Sequence, residues 1–214
     1  MLDTDPRLIR LIMSLRNQGI RDTAVLAAIE RVPRVMFINP ALASRAYGDH
    51  ALPIECGQTI SQPYIVAYMT EKLELNDRLK ILEIGTGSGY QAAVLSHLCR
   101  RVYTIERYRT LLREAEKRFS ELRITNITSM VGDGLKGWPA QAPFDRIIVT
   151  AAARETPRDL AEQLKPGGKM IFPLNTDNQD QELVLLVKTD DGYEQKPLIP
   201  VRFVPLVAGV AQEM

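Results

Sequence analysis

The sequence has few residues of the kinds that form disulfides or bind metals. Its 214 residues include two cysteines, Cys56 and Cys99, and two histidines, His50 and His97. Two cysteines cannot form a disulfide framework, and here they do not make a Cys-x-x-Cys motif. Because the cysteines and histidines share no spacing typical of metal ligands, we predict no metal site.

The chain also lacks an excess of charge of either sign. Lys and Arg number 27 and Asp and Glu number 26, which gives a formal net charge of +1. A protein that binds nucleic acid through its phosphates needs many excess basic residues, so we expect no nucleic-acid partner. A compact site for one small charged ligand is compatible with this balance.

Long apolar runs are missing as well, and none approaches the ~20 residues of a membrane span. Residues 1–5 contain acids where a secretory signal peptide requires Lys or Arg. We therefore expect a cytoplasmic protein that has no membrane partner. We separately expect a monomer. A length of 214 residues and a hydrophobic content of 45% suit one globular domain.

From residue 79 onward, short apolar runs alternate with amphipathic segments. The runs predict strands at residues 79–84, 102–105, 127–131, 144–150 and 169–173, with helices between them at residues 89–99, 108–122 and 157–164. This alternation is typical of a parallel sheet covered by helices on both faces. The Asp-Gly pair at residues 191–192 lies between two strand-like runs and predicts a hairpin at an antiparallel edge.

Residues 7–75 have mostly helical spacing, interrupted by one loop. Gly19 suits the end of a first helix, Asp22 can cap a second, and Pro33 stops it. Residues 49–63, with the sequence DHALPIECGQTISQP, show no clear periodicity. This loop is longer than a typical connection, and such loops are often functional.

The strongest local motif is ILEIGTGSGY at residues 81–90. A buried strand leads into three alternate glycines, Gly85, Gly87 and Gly89, and then into a helix. Glycines let the chain turn tightly and let a ligand approach the backbone, and the helix start supplies free N–H groups. Glu106 ends the next predicted strand, 21 positions after Gly85. Since a carboxylate placed there can accept both ribose hydroxyls of an adenosine, the motif predicts a nucleoside site.

Two features separate this motif from the dinucleotide fingerprint G-x-G-x-x-G. Tyr90 stands where the final glycine would be, and Glu83 precedes the loop, where a carboxylate would repel a pyrophosphate. A carboxylate there better suits a cationic cofactor such as S-adenosylmethionine, and Asp133 could accept from its adenine amino group. A nicotinamide or flavin cofactor, or a packing turn without a ligand, are the alternatives.

Four motifs in order, ILEIGTGSGY, VYTIER, GDG and LKPGGKMIFP, resemble the class I S-adenosylmethionine-dependent methyltransferases. The flanking segments ALPIECGQTISQPY and VRFVPL resemble one family within that class, the protein-L-isoaspartate O-methyltransferases, and the likeness covers nearly the whole chain. GQTISQP at residues 57–63 is its most specific part. This chain departs from the family pattern P-I-G-x-G-Q-T-I-S at Glu55, which replaces a glycine.

The resemblance implies a fold, an activity and a cofactor. The fold would be a three-layer, Rossmann-like α/β fold with a mostly parallel sheet, an antiparallel C-terminal edge and an N-terminal helical extension. The activity would be methyl transfer from S-adenosylmethionine to the carboxylate of isoaspartyl residues in damaged proteins, which starts their repair through a succinimide. The single domain would comprise N-terminal helices with an active-site loop (1–75), a cofactor-binding core (76–175) and a C-terminal hairpin with a substrate-side segment (176–214).

The resemblance places the active-site serine of the family at Ser61. We expect its hydroxyl to hold the acceptor carboxylate and not to act as a nucleophile, because no partnered base is evident. A carboxylate is already ionised at pH 7 and needs no base. The expected substrate residues are Ile60, Ser61 and Arg202. The expected cofactor residues are Thr59, Ser61, Glu83, Gly85, Thr86, Gly87, Ser88, Glu106, Asp133 and Gly134.

Two other functions stay open at the level of the sequence. One is a class I methyltransferase for a different acceptor, which would give a base-stable product. The other is a cofactor-binding protein whose catalysis is impaired because Glu55 distorts the loop.

Overall fold

The computed structural model describes residues 5–176 and 180–212. Its helices are Pro6–Asn17 (α1), Thr23–Arg31 (α2), Pro63–Lys72 (α3), Tyr90–Ser96 (α4), Arg109–Glu121 (α5) and Arg158–Glu162 (α6). Its strands are Leu52–Pro53 (β1), Thr59–Ile60 (β2), Lys80–Ile84 (β3), Arg101–Glu106 (β4), Ile127–Val131 (β5), Phe144–Val149 (β6), Leu164–Asn175 (β7), Gln181–Thr189 (β8) and Gly192–Val201 (β9).

Seven of these strands form one sheet in the order β5-β4-β3-β6-β7-β8-β9. The five strands from β5 to β7 in this order are parallel, while β8 pairs antiparallel with both β7 and β9. The predicted mostly parallel sheet with an antiparallel C-terminal edge is therefore confirmed. The Asp-Gly pair that predicted the hairpin lies at its tip, with Asp191 in the turn and Gly192 at the start of β9.

The sheet separates two apolar clusters. Ile81 and Val102 face a cluster built largely from α1 to α5, whereas Leu82 and Ile147 face a second cluster that contains Leu160 of α6. Neighbouring residues of one strand point to opposite faces, so β3 contributes to both layers. This arrangement gives the predicted three-layer α/β architecture.

The N-terminal helices pack against the first of these clusters. Asp22 caps α2, because its side chain accepts the N–H groups of Ala24 and Val25. The Glu71 carboxylate on α3 accepts the N–H groups of Arg21 and Asp22, at 2.7 Å each. These contacts tie the start of α2 to α3 and confirm Asp22 as a capping residue.

The segment at residues 49–63 was expected to be an irregular loop, and the structure corrects this. It contains a short antiparallel hairpin in which β1 pairs with β2, Leu52 opposite Ile60. The turn between them places Cys56 at φ 57° and Gly57 at φ 66°. Glu55 is not among the residues with positive φ, so the backbone here does not require a glycine at that position.

The predicted end of the helix before β7 is also corrected. The helix was predicted at residues 157–164, but α6 stops at Glu162, and the Pro-Gly-Gly sequence at residues 166–168 belongs to β7. The pairing of β7 with β6 shifts between Phe144 and Arg146. Proline and glycine are tolerated in a strand at such an irregularity, because ladder hydrogen bonds are interrupted there.

Within residues 5–176 and 180–212, no helix is both long enough and apolar enough to cross a bilayer.

Candidate active site

The order of the strands creates a crevice at one edge of the sheet. After β3 the chain forms β4 and β5 on one side, and it then returns to form β6 on the other side of β3. Ligands of open parallel sheets bind where the strand order reverses, outside the carboxyl ends of the strands. A cavity with about 800 Å³ of empty space, part of it open to solvent, lies at this place.

The glycine-rich loop lies against the neighbouring strand ends because two of its residues lack side chains. Gly85 has φ 94°, and a Cβ added there would lie 2.4 Å from Oγ1 of Thr150, just after β6. Gly89 has φ 90°, and an added Cβ would lie 2.8 Å from the Phe119 ring on α5. The left-handed backbone favours glycine at both positions. The two glycines therefore let the loop pack closely against Thr150 and Phe119, and residues 85–88 of the loop line the cavity.

Glu106 faces the cavity from the end of β4 and is 5% exposed. Its Oε2 accepts the N–H of Gly87 at 2.8 Å, and its Oε1 accepts the N–H groups of Arg107 and Tyr108 at 2.7 and 3.0 Å. An ionised carboxylate has about four acceptor positions, so about one is left for a ligand hydroxyl. Glu106 thus holds the glycine loop in place and still has room for one ribose contact.

Glu83 is fully buried in β3 and is not among the residues that line the cavity. Its Oε2 accepts a hydrogen bond from Thr104 at 2.5 Å, and the Thr104 hydroxyl is 2.6 Å from that of Thr86, which does line the cavity. Burial raises the pKa of Glu83 to about 8, although the bond from Thr104 opposes this rise. The two threonine hydroxyls connect Glu83 to the lining of the cavity.

The remaining expected cofactor residues divide into two groups. Asp133 is not among the lining residues, and its Oδ1 accepts the N–H of Leu135 at 3.0 Å. The expected residues that do line the cavity are Thr59, Ser61, Gly85, Thr86, Gly87, Ser88, Glu106 and Gly134. Residues far apart in the chain therefore meet around one space.

A second cavity adjoins the first on the side of the β1–β2 hairpin. Arg202 is exposed and lines only this second cavity, whereas the buried Ile60 lines only the first. Four residues line both cavities: Thr59, Ser61, Thr150 and Val204. Ser61 therefore lies where a group held in one cavity would meet a group held in the other.

Sequence reasoning missed the contribution of the C-terminal segment to the first cavity. Residues 204–207 line it. The Ala152 N–H donates to the carbonyl of Val204, and the Leu206 N–H donates to the carbonyl of Ala152, both at 2.8 Å. Further along, the Ala211 N–H donates to the Arg107 carbonyl at 3.0 Å. The family-like motif VRFVPL was the available signal, but it suggested only a substrate role.

Thr150 and Tyr90 were missed as well. Thr150 directly follows β6, and its hydroxyl lies 2.7 Å from the carbonyl oxygen of Gly85. Tyr90 is buried at the start of α4 and lines the first cavity. The position of Thr150 at the carboxyl end of a parallel strand is a signal that could have identified it.

The chemistry of the cavity fits an adenosine with a cationic group. Glu106 offers an acceptor to a ribose hydroxyl, and the hydroxyls of Ser61, Thr86 and Ser88 can accept from an ammonium. In the described part of the chain, no group of three or more His, Cys, Asp or Glu side chains is placed to hold a metal ion. S-adenosylmethionine therefore fits the residues that are present.

The reversed strand order, the glycine loop and the carboxylate on the next strand define a class I, S-adenosylmethionine-dependent methyltransferase. Residues 7–211 match the family model for protein-L-isoaspartate(D-aspartate) O-methyltransferase. The chain belongs to this family. Its activity is accordingly that of a carboxyl O-methyltransferase.

Curated relatives carry the same name. One from Parvibaculum lavamentivorans is 65% identical over 207 residues, covering 96% of this chain and 93% of the relative. One from Paramagnetospirillum magneticum is 56% identical over 214 residues and covers 100% of both chains.

Solved structures agree with this assignment. A protein-L-isoaspartate O-methyltransferase superposes with a TM-score of 0.85 at 30% identity, over 95% of this chain and 67% of the other. A Plasmodium falciparum protein of the same description, in complex with S-adenosyl-L-homocysteine, gives a TM-score of 0.81 at 25% identity. The match covers 92% of this chain and 97% of the other.

Proposed function

We propose that this protein transfers a methyl group from S-adenosylmethionine to the free carboxylate of L-isoaspartyl residues in damaged proteins. The ester product then closes to a succinimide, whose hydrolysis returns part of the material to normal aspartate. The observation that carries the proposal is the shared wall at Ser61, where two adjoining cavities meet in a chain of this family. One cavity suits the cofactor, and the other is open to a peptide.

The cofactor residues act at different depths. Gly85, Gly87 and Gly134 keep the first cavity free of side chains, and Glu106 binds a ribose hydroxyl through its remaining acceptor position. Thr59, Ser61, Thr86 and Ser88 add hydroxyls around the cationic end. Asp133 acts from just outside the lining, and Glu83 acts through Thr104 and Thr86.

The acceptor side relies on positioning and not on proton transfer. When bound, S-adenosylmethionine supplies a methyl group on a positively charged sulfur, which a carboxylate oxygen can take up without losing a proton. The Ser61 hydroxyl donates to that carboxylate and orients it, with Ile60 packed beside it. Arg202 places a positive charge at the second cavity. Holding the reacting atoms in line can contribute about 7–11 kcal/mol in the best intramolecular cases.

The whole chain, in this proposal, works as one methyltransferase domain with the divisions 1–75, 76–175 and 176–214. Its partners are isoaspartyl proteins and peptides, and the near balance of 27 basic and 26 acidic residues supports the absence of a nucleic-acid partner. We further propose that it acts as a cytoplasmic monomer without a membrane partner.

A paired peptide assay tests the proposed function. An isoaspartyl peptide and the matched aspartyl peptide are incubated with labelled S-adenosylmethionine, and base-labile methyl esters are counted. We expect label on the isoaspartyl peptide alone. Equal labelling of the two peptides, or a base-stable product, would contradict the proposal.

The role of Ser61 has its own test. Ser61→Ala is expected to lower kcat by about tenfold or more, because one hydrogen bond to a charged group contributes about 1.5–3 kcal/mol. S-adenosyl-L-homocysteine affinity, measured by calorimetry, should change much less. Ser120→Ala on the exposed side of α5 is the matched control. An unchanged kcat for Ser61→Ala would remove the serine from this role.

A further inference from the structure

Arg34 is completely buried behind the β1–β2 hairpin, and it lines neither cavity. Its Nη2 donates to the main-chain oxygen of Ser61 at 2.8 Å and approaches that of His50 at 3.5 Å. Residues 50 and 61 lie on the two sides of the hairpin. One guanidinium therefore holds both ends of the segment that carries Thr59, Ile60 and Ser61.

The same guanidinium also contacts the wall of the first cavity. Its central carbon lies 4.9 Å from the centroid of the Tyr90 ring, a distance typical of a cation–π contact. Tyr90 lines the cavity and packs edge-on against Phe37, with ring centroids 5.4 Å apart. Arg34 thus joins the acceptor-side segment to a fixed side chain of the cofactor cavity.

Stability alone does not account for an arginine at this position. Burial lowers the pKa of Arg34, and its Nε and Nη1 have no hydrogen-bond partner in the described part of the chain. Replacing a buried charged group by an apolar side chain of similar volume is often neutral or stabilising. A methionine could fill the space, but it could not hold the Ser61 carbonyl.

The C-terminal side of the hairpin has a second anchor that acts alongside Arg34. Asp49 accepts the N–H of Tyr64 at 2.9 Å and the side-chain amide of Gln62 at 3.1 Å. These bonds hold the residues after Ser61 to the start of α3. Arg34, by contrast, donates to Ser61 itself.

We propose that Arg34 is a positioning residue for methyl transfer, which fixes Ser61 and the acceptor carboxylate relative to the cofactor cavity. It acts through the Ser61 carbonyl and the Tyr90 ring and touches neither substrate nor cofactor. The inference rests on the proposed function. Because a misplacement of about 1 Å can cost about 100-fold in rate, a small shift of this segment is enough to matter.

The test compares Arg34→Met and Arg34→Lys with Arg146→Met. Arg146 is a suitable control because, like Arg34, it donates to main-chain carbonyls and lines neither cavity, but its acceptors, Leu73 and Asp145, lie outside the β1–β2 hairpin. We expect Arg34→Met to lower kcat for the isoaspartyl peptide by about 10- to 100-fold. Affinity for S-adenosyl-L-homocysteine should fall by much less than kcat, because the glycine loop and Glu106 lie outside the segment that Arg34 holds.

Two further readouts separate positioning from a merely structural role. Hydrogen exchange across residues 50–62 should be faster in Arg34→Met than in the wild type and unchanged in Arg146→Met. Arg34→Lys should show an intermediate kcat, since an ammonium can still donate to the Ser61 carbonyl. Arg146→Met should retain the kcat of the wild type even where its melting temperature falls.

A kcat within about twofold of the wild type in folded Arg34→Met would overturn the inference. If that variant does not fold, a wild-type kcat in Arg34→Lys together with unchanged exchange at residues 50–62 would also overturn it. Failure of the proposed function is a separate result, seen as a wild type that does not methylate the isoaspartyl peptide. In that case the exchange comparison still decides whether Arg34 holds the hairpin.

Discussion

Two carboxylates near the glycine loop have opposite environments and therefore different tasks. Glu106 lines the first cavity and accepts three main-chain N–H groups. Glu83 is fully buried and has a raised pKa. One of its oxygens is hydrogen-bonded, and the other has no partner among the described residues. We infer that Glu106 contacts the ligand directly, whereas Glu83 supports the glycine loop through Thr104 and Thr86.

Removing the Glu106 carboxylate should weaken cofactor binding. For Glu106→Ala we expect a loss of about 1–3 kcal/mol in S-adenosyl-L-homocysteine binding, since a buried hydroxyl loses its acceptor and the loop loses its anchor. Calorimetric titration measures this change. Glu116→Ala, on the exposed surface of α5, is the control and should bind as the wild type does. Unchanged binding by Glu106→Ala would refute the ribose assignment.

The buried carboxyl of Glu83 should make stability depend on pH. Its pKa in the folded protein is about 8, above the ordinary value of 4.5, so the protonated form is favoured by folding. Its stabilising contribution is then fully present below pH 4.5 and is lost as the pH rises towards 8. Glu83→Gln cannot ionise, so it should lose less stability than the wild type across this range.

Urea unfolding at several pH values between these limits measures the effect. The free energy of unfolding of the wild type minus that of Glu83→Gln should fall steadily as the pH rises. Glu116→Gln is the matched control and should run parallel to the wild type. A constant difference between the wild type and Glu83→Gln would show that Glu83 is ionised throughout.

The sequence predicted the place of Glu106 but not the orientation of Glu83. Glu106 ends a strand, and the carboxyl ends of neighbouring parallel strands meet at one edge of the sheet. Glu83 lies inside β3, where both faces are covered and the flanking residues are all apolar. Such a strand gives no alternation that shows which way one polar side chain points.

At the scale of the elements, the core helices followed their hydrophobic period and the core strands their short apolar runs, whereas the β1–β2 hairpin showed neither signal. Its strands have two residues each, too few for a period of two to be recognised. Its turn uses Cys56 in the left-handed region, which a glycine or asparagine would normally indicate. The hairpin therefore follows from tertiary contacts, among them those of Arg34.

The packing of α4 against α5 depends on a glycine at the start of α4. Gly89→Ala should destabilise the protein by about 2–4 kcal/mol, because left-handed backbone strain adds to overpacking against Phe119 and Ala115. Gly167→Ala is the matched control, since Gly167 has φ 72° but nothing within 4 Å of an added Cβ. It should lose only about 1–2 kcal/mol from strain.

Urea unfolding of the two glycine variants separates strain from packing. The difference between their free energies of unfolding is the cost of the contact between α4 and α5. If Gly89→Ala and Gly167→Ala lose the same free energy of unfolding, α5 moves away from the added methyl group without cost. The packing argument for Gly89 would then be wrong.

At the scale of the whole molecule, charge is balanced overall and concentrated locally. The net charge is +1, yet Glu106 lies at the first cavity and Arg202 at the second. A protein without a strong net field does not steer charged partners from a distance. A near-zero net charge would benefit an enzyme that repairs many unrelated proteins, since substrates of either charge could approach it equally well.

This balance predicts weak salt dependence for substrates of opposite charge. We compare kcat/KM for two isoaspartyl peptides, one flanked by lysines and one by glutamates, at about 20 mM and about 200 mM salt. With little long-range field to screen, each value should change by less than about threefold. Arg202→Gln tests the local charge. It should lower kcat/KM mainly for the glutamate-flanked peptide, because the glutamates lose their short-range attraction to Arg202, which persists at high salt. A steep, salt-sensitive preference of the wild type for one peptide would instead show that a patch of one sign guides substrates to the Ser61 wall.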